Sequence, residues 1–167
     1  MGTSENTSDN GRPRRILAVV DWSVDAEAVA AALRAARDRS PAVFGVLVPS
    51  RLPGLDWIGD PHASRPCAER QLDEVTRLAR SAGVEIERAI VGDPERVSAI
   101  GAFLEGWRAD DVALYDRDRI AANHPLSVRR RVARRTGRHV DRVVVSPVSS
   151  DGHWFQRAPH CAHANAG

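Results

Sequence analysis

From Arg15 onward, short uninterrupted apolar runs alternate with segments whose apolar residues recur three and four positions apart. Ile16-Leu17-Ala18-Val19-Val20-Asp21 lacks polar alternation, which predicts a parallel strand covered on both faces. Ser23 is placed to cap the helix that follows. Asp25 and Glu27 fall in its positive first turn, and Val24, Ala28, Ala31, Ala32 and Ala35 form a narrow stripe suited to close packing on a sheet. Ala42 to Val48 reads as a second buried strand. A long Pro-, Gly- and Asp-rich loop, Pro49 to Pro66, follows it. Ala68 to Ala82 sets Leu72, Val75, Leu78 and Ala79 on one helical face, with Gly83 where a left-handed helix end is favoured. Val84, Ile86, Ala89, Ile90 and Val91 make a third strand. Gly92-Asp93-Pro94-Glu95 then predicts a helix start with Asp93 as cap and Pro94 at the first helical position. Val97, Ile100, Gly101, Leu104 and Trp107 continue that helix, and Val112 to Tyr115 is a fourth strand. Ser127 to Thr136 is a last helix, and Val143 to Val145 a fifth strand ended by Pro147.

One strand followed by four helix–strand repeats implies a doubly wound α/β fold: parallel strands joined by right-handed crossovers, with helices on both faces. Ligands in such sheets bind beyond the carboxyl ends of the strands, where the strand order reverses. That places the expected crevice between the ends of the first and fourth strands, at Asp21 and at Tyr115 to Asp118. The polar segment 1–14 is expected to be disordered, 15–148 to be the α/β domain, and 149–167 a flexible tail.

Composition narrows the chemistry. All 24 cationic side chains are Arg, so a phosphate-binding loop with its Lys and a pyridoxal phosphate Schiff base are excluded, and the same absence argues against a receiver domain, which uses a Lys. The net charge of +2 is too small to imply a nucleic-acid partner by itself. No run of about 18 apolar residues is present to span a membrane, and the acidic, polar start lacks the form of an export signal, so the cytoplasm is expected. The two cysteines, Cys67 and Cys161, read more simply as free thiols than as a disulfide framework.

Ile16 to Ser23, the Gly92-Asp93-Pro94 helix start, Ala109 to Tyr115, and Ser127-Val128 together resemble the universal stress protein family, over about Arg15 to Val148. The family's Val-Asp-x-Ser strand end is matched by Val20-Asp21-Trp22-Ser23, and its Asp lies beside the adenine of a bound nucleotide. The resemblance implies an adenine nucleotide alpha hydrolase-like, three-layer sheet of five parallel strands in the order 3-2-1-4-5. It also implies a nucleotide crevice at Asp21, Val48, Tyr115, Asp118, Ser127 and Val128. ATP-binding members carry a Gly-x-x-Gly loop after the fourth strand and Gly-Ser or Gly-Thr at the last helix. Here Tyr115 and Asp118 stand in place of the loop glycines, and Leu126-Ser127 in place of Gly-Ser. Side chains at these positions obstruct the approach of backbone N–H groups to phosphate oxygens, and Asp116 and Asp118 repel a polyphosphate. ATP binding is therefore expected to be weakened or lost, with ATP or AMP remaining the candidate ligands.

Other features have two readings each. Asp21 either binds a ligand or accepts backbone N–H bonds in the turn after its strand. Arg129, Arg130, Arg131, Arg134, Arg135 and Arg138 are expected to coat the solvated side of the last helix while Val128 and Val132 face the sheet, because no aromatic platform is interleaved with them. His153, His160, Cys161 and His163 have no zinc-finger spacing, and Trp57, Asp60 and His62 could cover the crevice or be loop surface. No nucleophile, base and orienting acid assemble, so the expectation is a non-catalytic stress-response or signalling module with protein partners. The alternative is a nucleotide sensor, or a hydrolase in which Asp116 or Asp118 positions a metal. The fifth strand, at a sheet edge with three consecutive valines, predicts a homodimer through that edge, unless Trp154 and Phe155 of the tail cover it.

Overall fold

Runs of branched apolar residues separated by Ala-rich and Arg-rich amphipathic segments fold as the alternation requires. The computed structural model describes residues 12–50, 65–116 and 128–145. The elements are β1 (Arg14–Val20), α1 (Ala26–Arg39), β2 (Ala42–Pro49), α2 (Arg65–Ser81), β3 (Ile86–Gly92), α3 (Arg96–Gly106), β4 (Asp111–Asp116), α4 (Val128–Thr136) and β5 (His139–Val144). All strand pairs are parallel, in the order β3-β2-β1-β4-β5. The order in which strands are added reverses between β1 and β4, whose parallel register runs from Ile16 opposite Asp111 to Val20 opposite Tyr115.

Alternation along the strands splits the core in two. Ala18 and Val20 of β1, Val46 and Val48 of β2, and Ala113 and Tyr115 of β4 pack under α1 and α2. Leu17, Val19, Leu47, Val112 and Leu114 pack under α3 and α4. In β2, Gly45 is what admits α3 on the second face: a Cβ there would lie 2.8 Å from the Phe103 ring and 3.1 Å from Trp107. Phe103 and Trp107 meet edge to face, with centroids 5.7 Å apart.

Several helix and strand ends differ from the sequence expectation. Asp25, not Ser23, caps α1, its side chain accepting from the Glu27 N–H. The Ser23 hydroxyl is drawn instead to Asp21, so the chain makes one further turn before the helix starts. Glu95, not Asp93, caps α3 by accepting from the Ser98 N–H at 2.7 Å, and Pro94 precedes the cap. A carboxylate three residues before a free N–H competes for the cap as well as a short Asp does. At the end of α2, Gly83 takes φ 78° as expected, and the Val84 N–H closes onto the Ala79 carbonyl. β5 begins at His139, four residues before the predicted valines, because β4 offers partners for His139 and Val140 from Asp111 onward. Cys67 is not a free thiol, which corrects the expectation for that residue; Cys161 lies outside the described residues. No helix among the described residues is long and apolar enough to cross a membrane.

Candidate functional site

Asp21 and Asp116 end two adjacent strands, and strand alternation turns both toward the α3/α4 face. The crossover after β3 delivers the first residue of α3, Arg96, to the same place. Its side chain, 9% exposed, donates from Nη2 to Asp21 Oδ2 at 2.8 Å and from Nη1 to Asp116 Oδ2 at 3.0 Å. One guanidinium thus ties the ends of β1 and β4 together. Arg142 of β5 approaches the same Asp116 oxygen at 3.6 Å with its side chain 10% exposed. The other oxygen of Asp21 accepts from the Ser23 N–H at 2.9 Å and from the Ser23 hydroxyl at 2.6 Å. Asp21 also donates its backbone N–H to the Tyr115 carbonyl, and its own carbonyl accepts from Val24. Asp21 accepts the turn N–H, as the second reading of this residue requires, and its carboxylate is engaged by groups of its own chain. Arg96 Nε is buried with no hydrogen-bond acceptor.

The remaining predicted residues are divided between the two faces. Val48 is wholly buried and Tyr115 3% exposed, both in the core under α1 and α2. Burial pushes the Tyr115 hydroxyl up to about 12; Arg39 opposes this shift and Asp141 adds to it. Val128, at the start of α4, packs against the other core. Asp118 and Ser127 lie outside the described residues, as do Trp57, Asp60, His62 and the histidines of the tail. A groove of about 480 Å³ between α1 and α2, lined by Ala31, Ala35, Leu78 and Ala82 together with the charged Glu27, Arg34 and Asp38, is on the far side of the sheet from the Arg96 bridge.

The strand order, the all-parallel sheet and the crossovers match known structures. The chain has the universal stress protein fold. It superposes on a universal stress protein in complex with cAMP at 22% identity and TM-score 0.52, covering 80% of this chain and 98% of that one. With a universal stress protein from Archaeoglobus fulgidus the identity is 21% and the TM-score 0.55, over 77% and 92% of the two chains. A structure of the Archaeoglobus fulgidus protein with dAMP aligns at 20% identity and TM-score 0.50, over 78% and 97%. No family model and no curated protein matches the sequence.

Arg96 is the residue that sequence reasoning missed. Its signal is geometric: Leu17, Val19 and Asp21, and Val112, Leu114 and Asp116, are two alternating rows on one face, each ending in a carboxylate. Two like charges side by side at partly buried strand ends need a cation between them, and the helix covering that face starts with Arg96.

Proposed function

We propose that the chain is a cytoplasmic, non-catalytic stress-response or signalling module of the universal stress protein type, with ATP binding weakened or lost. The observation that carries this reading is the Arg96 bridge, which sets the chain's own guanidinium between the two carboxylates at the switch point and engages both. A nucleotide must break two partly buried ion pairs to enter, in addition to lacking the glycine loop. The hydrolase alternative needs Asp116 or Asp118 to hold a metal; two guanidinium groups already compete for the Asp116 carboxylate, and Asp118 lies outside the described residues. Calorimetric titration with ATP and AMP tests the reading: no binding heat at millimolar ligand is expected, and micromolar ATP affinity overturns it.

One observation favours a second reading, an adenylate sensor: two structures of the same fold are complexes with cAMP and dAMP. In that case AMP-type ligands displace Arg96 from Asp21, and Arg96→Ala raises their affinity, whereas under the first reading it does not create a site. The module assembles as a homodimer through β5, which among the described residues pairs only with β4 and presents Val144 at 42% exposure. Light scattering on the full chain and on a version ending at Ser149 checks this. A monomer in both forms at high micromolar concentration removes the edge-pairing interface, and dimerisation only on truncation assigns the tail as its guard.

A further inference from the structure

Positive charge is concentrated on one helix. Between Val128 and Arg138 there are six arginines and no acidic residue, while the whole chain carries only +2, so the remainder of the molecule is net acidic. Three of these arginines sit in the first turn of α4, which contains no acid, against the positive end of the helix dipole. Local helix electrostatics therefore does not account for them.

Some are used by the fold. Arg129 Nε donates to the Val140 carbonyl at 2.8 Å, Arg138 donates to the Ala109 carbonyl, and Arg131 pairs with Glu95 at 3.2 Å. Arg134 and Arg135 are exposed and form no ion pair with a carboxylate among the described residues. Arg135 is nevertheless seated: its Nε would lie 3.6 Å from a Cβ added at Gly101, so its guanidinium rests over the side-chain-free position of α3. Beside it α3 exposes the small residues Ser98 and Ala102, with Glu105 and Gly106 exposed at its far end. The result is a low floor rimmed by cations, one of them held close to its docked position before any partner arrives.

We propose that the outer α3/α4 face docks an extended acidic segment of a partner protein, with Arg134 and Arg135 as the principal anchors and Arg131 beside them. Guanidinium groups pair with carboxylates by two parallel hydrogen bonds. Arg131 and Arg135 are four residues apart on one helix face, about 6 Å along the axis. Carboxylates on one side of an extended strand repeat at about 6.6 Å, so alternate acidic side chains of a peptide meet successive arginines. Nucleic acid fits less well. The aromatic residues of this face, Phe103 and Trp107, are buried beneath the helices and offer no stacking platform, and a nine-residue helix spans only about 14 Å. The inference extends the protein-contact part of the proposed function and makes no use of the crevice, so a positive or negative nucleotide titration leaves it intact.

Fluorescence anisotropy with the full chain, labelled octaglutamate and a labelled short DNA duplex is the test. Octaglutamate should bind at low ionic strength and weaken as salt rises. Arg134→Gln/Arg135→Gln should reduce its affinity about tenfold, as expected for losing two exposed charge pairs. Arg77→Gln/Arg80→Gln, on the exposed face of α2, should leave it unchanged. The proposal is overturned by absence of peptide binding at low salt, by an equal loss in the α2 variant, or by tighter binding of the duplex than of the peptide.

Discussion

Replacing Arg96 by Met removes the guanidinium that joins Asp21 to Asp116 while keeping an unbranched chain of similar reach. Removing one partner of a fully buried ion pair costs about 3–5 kcal/mol, because the other charge is left buried and alone. Three features of this site reduce that figure. Asp21 and Asp116 keep 23% and 20% of their side-chain surface in water. Asp21 also retains both bonds from Ser23, and Asp116 retains Arg142 at 3.6 Å. Finally, Arg96 Nε is buried without an acceptor, and its removal relieves a penalty of about 1–3 kcal/mol. The expected net loss is about 2 kcal/mol, or roughly 4–8 °C in Tm for a chain of this size. Urea unfolding followed by circular dichroism measures it as a lower midpoint at unchanged slope. Neutralising the carboxylates should then recover stability: Asp21→Asn/Asp116→Asn in the Arg96→Met background unfolds at a higher urea midpoint than Arg96→Met alone. If Arg96→Met unfolds at the wild-type midpoint, or if removing the two charges gives no recovery, the guanidinium does not hold the strand ends together and the account of the crevice fails.

Tyr115 is the chain's single tyrosine, so ultraviolet difference titration reports it alone; ionisation near 12 is expected. Because burial raises its pKa above the ordinary 10.0, its contribution to stability is complete below pH 10 and is lost as pH rises toward 12; a midpoint near 10 with the fold intact contradicts the burial. Gly45→Ala places a methyl group 2.8 Å from the Phe103 ring and should lower stability by about 1–3 kcal/mol in urea unfolding, whereas an unchanged midpoint would mean that α3 shifts freely over β2. Burial pushes the Glu95 carboxyl up, but the N–H groups of Ser98 and Val97 and the Arg131 charge together hold it below its ordinary 4.5. Its stabilisation is therefore present above about pH 4.5 and lost as pH falls below it. Glu95→Gln should cost about 0.5–1 kcal/mol at neutral pH and nothing at strongly acid pH, read from paired urea midpoints; a pH-independent difference would exclude the charged cap.

Much of the architecture was legible because it is local or periodic. Ile16 to Val20, Ala42 to Val48 and Val112 to Tyr115 are apolar without alternation, which only a strand covered on both faces tolerates, and the amphipathic segments between them dictate crossover helices. From that alternation follow the parallel sheet and a crevice at the ends of β1 and β4, and Asp21 is found there. Helix starts were less legible, since Ser23, Asp25, Asp93 and Glu95 are all competent caps and the choice depends on which oxygen a neighbouring group has already taken. Asp21 takes the Ser23 hydroxyl and leaves the cap of α1 to Asp25, and Glu95 wins the cap of α3 through the Ser98 N–H. What occupies the crevice was decided by tertiary structure alone. Two helices and two strands separate Asp21 from Arg96 in sequence, α3 and β4 carry the chain on to Asp116, and no period links the three. They meet because β1 and β4 become neighbours while α3 crosses their shared face. The sequence by itself determined which strand ends meet at the switch point; the packing of distant elements determined that the Arg96 guanidinium bridges the two carboxylates there, because charge compensation depends on distance in space and not on separation along the chain.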